Sequence, residues 1–132
     1  MNYSKGIKIE KIYTGNAPEP IGPYSQAVEV NGLVYTSGQI AINPETGEIV
    51  SEKLENQVHQ VIKNINEVLK AAETNLKQVV KTTIFLKNMN DFAEVNKIYA
   101  SYFGESKPAR STVEVSRLPK DVLIEIECIA VK

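Results

Sequence analysis

Val122-Leu123-Ile124-Glu125-Ile126-Glu127-Cys128-Ile129-Ala130-Val131 is the stretch whose reading decides the fold. It is rich in β-branched and apolar residues and holds no Gly or Pro, so it reads as a strand. Successive side chains in a strand point to opposite faces. Ile124, Ile126, Cys128 and Ala130 therefore share one face, and Leu123, Glu125, Glu127, Ile129 and Val131 share the other. Two carboxylates interrupt that second, otherwise apolar face. An unpaired buried carboxylate is costly, so each is expected to be exposed, paired or functional.

Working outward, Arg117-Leu118-Pro119-Lys120-Asp121 joins this strand to another over 111–115. The connection is short enough for an antiparallel pair. Before it, Phe92, Val95, Ile98, Tyr99, Tyr102 and Phe103 mark a helix, opened by Asp91 with Glu94 as a capping box and closed by Gly104 and Pro108. Residues 79–86 read as a strand. Leu54, Val58, Val61, Ile62, Ile65, Val68, Leu69 and Ala72 recur at three- and four-residue steps, the stripe of an amphipathic helix. Ser51 is its expected N-cap and Asn75 its left-handed C′ residue. Asn31-Gly32 between two β-prone runs signals a tight hairpin. Asn43-Pro44-Glu45-Thr46-Gly47-Glu48 is a turn, residues 15–23 with three prolines form a loop, and Ile7, Ile9 and Ile12 mark a first strand. The order is βββαβαββ, an α+β domain over 1–132. Two helices cover one face of such a sheet, and the Val- and Ile-rich other face is expected to meet another subunit.

The 132 residues suit one domain, and 42% hydrophobic with 23% charged residues is ordinary globular usage. A formal net charge of -1, with basic residues scattered among acidic ones, does not favour a nucleic-acid partner. One cysteine allows no intrachain disulfide, and one His with one Cys cannot make the usual zinc site. Met1–Gly6 lacks a signal-peptide apolar run, and no stretch is long enough to span a bilayer. A cytoplasmic protein without metal is the expectation.

Several residues stand out within this pattern. Arg110 follows Pro108-Ala109 at the start of a strand; its planar fork binds a carboxylate at two points, or it forms a plain salt bridge. Tyr24 sits on the rigid Gly22-Pro23 loop, where it either meets a ligand or packs. Ser37-Gly38 ends a strand, with the glycine permitting close approach to the backbone or serving a turn. His59 lies beside the apolar stripe and reads as a solvated helix residue, and Cys128 as packing. No Ser–His–Asp set, P-loop or dinucleotide fingerprint is present, which leaves carboxylate, guanidinium, hydroxyl, backbone and water for any chemistry.

Five ordered stretches carry a resemblance over nearly the whole chain: Ile21-Gly22-Pro23-Tyr24-Ser25-Gln26-Ala27, Thr36-Ser37-Gly38-Gln39-Ile40, residues 80–86 with Asn90-Asp91-Phe92-Ala93-Glu94-Val95-Asn96, Pro108-Ala109-Arg110-Ser111-Thr112-Val113-Glu114-Val115, and Arg117-Leu118-Pro119-Lys120-Asp121-Val122 with Ile124-Glu125-Ile126-Glu127. They resemble the Rid (YjgF-like) family, its RidA enamine/imine deaminase branch above all. The resemblance implies a chorismate-mutase-like α+β fold with a mixed sheet, a trimeric barrel with sites between subunits, and no metal or organic cofactor. It implies hydrolysis of 2-aminoacrylate and related 2-imino acids to 2-keto acid and ammonia. By position it assigns the carboxylate-binding arginine to Arg110, the water-positioning glutamate to Glu125 and the site tyrosine to Tyr24, with Ser37, Gly38 and Asn96 as further binding positions. Many RidA members carry Cys where this chain has Thr112. A backbone contact there survives the change, and thiol redox switching does not. The rival readings are a binding regulator that holds the same ligand without turnover and an RNA-directed translation inhibitor or ribonuclease.

Overall fold

The structure, a computed structural model, describes residues 6–132; Met1–Lys5, on which part of the leader reading rests, lie outside the described residues. Among those described the order is β1 (Ile9–Ile12), β2 (Ala27–Val30), β3 (Leu33–Thr36), α1 (Leu54–Ala71), β4 (Val79–Leu86), α2 (Phe92–Phe103), β5 (Ala109–Glu114) and β6 (Ile124–Val131). One mixed sheet runs β1-β2-β3-β6-β4-β5, parallel only at β4–β5. Asn31 and Gly32 at φ 51° and 78° make the tight β2–β3 turn expected of an Asn-Gly pair.

β6 alternates as its sequence requires, with Ile124, Ile126, Cys128 and Ala130 buried. That face meets α1, whose Leu54, Val58, Val61, Ile62, Ile65, Val68 and Leu69 are buried. Each such side chain contributes about 1.5–3 kcal/mol on burial, which outweighs the roughly 1 kcal/mol of a missing N-cap. Lys53 accordingly stands at the N-cap position with no side-chain bond. Ser51, expected there, instead accepts bonds from Lys53 N and Asn56 Nδ2.

Three further expectations fail for local reasons. Glu73, at φ 64°, takes the left-handed place after α1, while Asn75 caps the short 3-10 turn Leu76–Gln78. Asp91 makes no capping bond; it ends another 3-10 turn, Met89–Asp91, capped by Asn88. The two last strands do not pair. The crossover through α2 sets β5 parallel beside β4, and β6 takes the opposite edge of β4 while also joining β3. The 115–123 segment passes over the end of β4, held by Val115 N–Leu86 O at 2.9 Å and Lys87 N–Leu123 O at 3.1 Å. No described helix is long and apolar enough to cross a membrane.

Register assigns every strand residue to a face. Thr82 lies opposite both Arg110 and Cys128, and Ile84 opposite Thr112 and Ile126, on the helix-covered face. Phe85 lies opposite Val113 and Glu125, and Thr83 opposite Ser111 and Glu127, on the other. This second face carries Tyr35, Val113 and Val131, all exposed, and half-buried Ile129. One end of it is covered by Ile40, Ile42, Leu118 and Val122 packing with Phe85.

Candidate functional site

Pairing of β3 with β6 slips by one residue between Tyr35–Ile129 and Gln39–Ile126. The extra residue makes a β-bulge at Ser37-Gly38, the kind of irregularity that re-aims side chains. Ser37 N donates to Gln26 O at 2.9 Å and its Oγ to Ser25 O at 2.6 Å, tying the Tyr24 loop to the bulge. Glu125 projects from the facing strand across Gly38. A Cβ at residue 38 would lie 2.2 Å from Glu125 Oε2, so the glycine makes room for this carboxylate, a close approach the sequence left open to a ligand.

Tyr24, Ser37, Gly38 and Glu125 thus line one cleft of about 490 Å³, with Glu19, Gln39 and Glu127. Glu125 is half-buried, and its carboxyl is held above the usual carboxylate range, first by burial and then by the charge of Glu127. Tyr24 is exposed and its OH accepts from Ile21 N at 3.3 Å, which folds the loop back on itself.

Arg110 is elsewhere. It lies on the helix-covered face of β5, with its guanidinium 4.9 Å from the Tyr99 ring centroid and 5.5 Å from that of Phe92. The guanidinium plane is weakly hydrated and stacks well on aromatics. No described carboxylate lies within ion-pair distance, so the plain salt bridge weighed from sequence is not made within the chain. Asn96 shares with Arg110 a shallow hollow of about 430 Å³ between α2 and β5. Thr112 follows on the same face, and its buried Oγ1 has no hydrogen-bond partner among the described residues. The predicted set therefore divides: Tyr24, Ser37, Gly38 and Glu125 on one side of the sheet, Arg110, Thr112 and Asn96 on the other.

The sequence reading missed the residues that hold these groups. Buried Gln26 accepts from Thr14 N at 2.7 Å and donates to Thr14 O at 3.0 Å and Pro18 O at 2.9 Å, fixing the loop before Tyr24. Asn64 on α1 donates to Ile40 O and Ile42 O and fixes the wall after Gly38. Thr82 Oγ1 meets Tyr99 OH at 2.7 Å and steadies the ring beside Arg110. Burial raises the Tyr99 hydroxyl above its ordinary range more than the Thr82 bond and Arg110 lower it. A polar residue inside an otherwise apolar helical stripe was the available signal, and it applies to Asn64 and to Gln57, which is buried as well and accepts from Leu123 N at 2.9 Å. His59 is exposed as expected but is not without a partner: it meets Tyr102 OH and packs edge-on against that ring, centroids 5.6 Å apart. Cys128 is buried, and burial pushes its thiol up to about 11, in keeping with packing.

A family model described as Endoribonuclease L-PSP matches residues 14–132. A RutC family protein of Pyrococcus horikoshii is 59% identical over 123 residues, covering 93% of this chain and 98% of that one. A structure from Yersinia pestis, described as a protein of the Rid family, superposes with a TM-score of 0.92 at 55% identity, covering 95% of this chain and all of that one. This chain belongs to the Rid (YjgF-like) family. Within the Rid family it is also 50% identical over 127 residues to the chloroplastic Reactive Intermediate Deaminase A of Arabidopsis thaliana, covering 96% of this chain and 68% of that protein. The α+β fold and the family expected from the quoted motifs are both borne out.

Proposed function

We propose that this protein is a cytoplasmic hydrolase of short 2-imino acids and their enamine tautomers, 2-aminoacrylate among them, working as a homotrimer with its sites between subunits. The observation that carries the reading is the placement of two charged groups. Arg110 lies against aromatic rings with no ion-pair partner among the described residues on one face of the sheet, and half-buried Glu125 lies in a cleft on the other. A ligand of a few heavy atoms reaches both only if a second copy brings its Glu125 cleft to the Arg110 of the first. The exposed Tyr35, Val113 and Val131 give that second copy an apolar surface to cover. The Arabidopsis relative's name supports the reaction class.

The chemistry follows from the groups. Arg110, its guanidinium held over the Tyr99 and Phe92 rings, grips the substrate carboxylate and fixes the C=N carbon in space. Asn96 and the backbone at Thr112 complete that grip. Glu125, made more basic by burial, takes a proton from water as the oxygen bonds to the imine carbon and the C=N electron pair moves to nitrogen. Glu125 passes that proton to nitrogen, giving a carbinolamine; it then takes the hydroxyl proton and delivers it to nitrogen as the C–N bond breaks, so ammonia leaves, the oxygen lone pair forms the carbonyl of the keto acid and Glu125 ends ionised. The enamine tautomer first gains a proton at its terminal carbon and loses one from nitrogen, with the Tyr24 hydroxyl as the relay. Positive charge developing on nitrogen is favoured by the carboxylate beside it.

A coupled assay tests this: a pyridoxal-dependent dehydratase generates 2-aminoacrylate, and keto-acid release is followed with and without this protein. Acceleration over the spontaneous rate is expected. Binding of pyruvate without acceleration would move the protein to the regulator reading. The RNA activity in the family model's name finds less support. The net charge is -1, and the single histidine, His59, sits on the outer surface of α1, lining neither Glu125's cleft nor Arg110's hollow. Salt-dependent RNA binding by the intact protein would reverse that preference.

A further inference from the structure

Glu127, the second carboxylate that breaks the apolar face of β6, has no part in the chemistry above. Its side chain leaves the same face as Glu125, about 6.6 Å along the strand, and both line one cleft. Among the described residues the lining of that cleft has three carboxylates, Glu19, Glu125 and Glu127, and no Lys or Arg. Glu19 is engaged by the Tyr13 hydroxyl. The charged and titratable groups on the neighbouring elements are otherwise occupied or turned elsewhere. On β4, Lys81 Nζ bonds Ser111 Oγ at 3.0 Å. In the 117–121 turn, Arg117 and Asp121 pair with each other at 2.9 Å, and Lys120 is exposed beside them. Lys87 beyond β4 is exposed and near Asp121, and Tyr24 is held by Ile21 N. Glu127 is thus the nearest charge on Glu125's own strand face, no described cation of the same chain lines the cleft to offset it, and in the assembled site the neighbouring copy's Arg110 is taken up by the substrate carboxylate.

We propose that Glu127 is a positioning residue for the deaminase reaction, acting through Glu125: its charge, in the same cleft and on the same strand face, keeps the Glu125 carboxylate strong enough as a base to take the proton from water. It touches no substrate. The inference rests on the reading of Glu125 as the base. The raised Glu125 carboxyl agrees with it in direction, with burial as the larger cause and Glu127 the second.

The test is a set of pH profiles of kcat/KM on the trimeric protein. In the parent, activity falls on the acid side as Glu125 takes up a proton. Removing the neighbouring negative charge in Glu127→Gln lowers the Glu125 pKa, so the base stays ionised to lower pH and the acid limb moves to lower pH. The plateau falls by less than about tenfold, since a weaker base still transfers the proton. Glu127→Asp keeps the charge and is expected to leave the limb near its parental position, an outcome that a merely structural role would not give. An acid limb unmoved in folded Glu127→Gln, or moved equally in Glu127→Asp, overturns the proposal. Glu125→Gln separates the two readings. If it leaves the acid limb intact, the base assignment itself is wrong; if it removes the limb and Glu127→Gln does not shift it, only the role of Glu127 falls.

Discussion

Gly38→Ala tests the site's geometry at one atom. A Cβ there would lie 2.2 Å from Glu125 Oε2 and 2.8 Å from Glu125 Cδ, against an ordinary contact of 3.4 Å, so the carboxylate must retreat by about 1.2 Å. Gly38 is not among the positive-φ glycines, so its backbone accepts a side chain. The displaced atoms are the far end of a flexible side chain, and replacing Gly adds about 0.4–1 kcal/mol by restricting the unfolded chain. Stability is therefore expected to stay within about 1 kcal/mol of the parent. Displacing a reacting group by about 1 Å costs roughly 100-fold in rate, or about 2.7 kcal/mol of barrier. The expectation is a fall of about 100-fold in kcat/KM in the coupled assay, with the melting temperature moved by only a few degrees. The double variant Gly38→Ala/Glu125→Gln sharpens the test. If both changes act through one carboxylate, it is no worse than Glu125→Gln alone. Parental activity in folded Gly38→Ala, or losses that multiply in the double variant, would refute the argument that Gly38 exists to seat Glu125.

Arg110→Lys keeps the charge but loses the planar two-point fork, so most deaminase activity and pyruvate affinity are expected to go while assembly persists; a variant matching the parent in both removes the carboxylate clamp. Thr112→Ser and Thr112→Cys are expected to keep most activity, since only the backbone of residue 112 enters the mechanism. Thr112→Val replaces an unpartnered buried hydroxyl and is expected to melt no lower than the parent; near-complete inactivity in folded Thr112→Ser would assign that hydroxyl a role. Light scattering is expected to give about three times the 14.6 kDa chain mass, and a monomer at micromolar concentration would remove the shared site.

Periodicity made parts of the fold legible. The two-residue alternation of β6 and the three- and four-residue stripe of α1 are properties of the local chain, and both are met. Helix ends were less legible. Ser51, Asn75 and Asp91 have the right side chains for caps, yet neighbouring 3-10 turns and the packing of the apolar stripe set the boundaries. The pairing of β5 is a non-local matter: a short connection suggested β6, and the crossover through α2 gave β4 instead. Among the site residues, the Glu125–Glu127 interruption was visible as a broken pattern. Arg110 and Tyr24 were chosen by resemblance, because a lone strand arginine or loop tyrosine carries no pattern of its own. Gln26 was invisible as a support because an amide in a polar loop looks solvated; only the fold reveals that it bonds three carbonyls and one amide group.

Thr82, opposite Arg110, and Phe85, opposite Glu125, are three residues apart on β4, an odd step that places them on opposite faces. The sheet therefore stands between the guanidinium and the carboxylate, and no rotamer of either side chain brings both to one imine carbon. Only two arrangements satisfy both groups. Either Arg110 and Glu125 belong to unrelated functions, or each completes a site with its counterpart from another copy. The first leaves an arginine beside two aromatic rings with no described anion, and a half-buried carboxylate in a cleft with no described cation on its lining. The second supplies the missing counter-group to both at once and covers the exposed apolar row around Tyr35 and Val113. The same geometry that separates the pair within the chain thus favours assembly as the condition for chemistry.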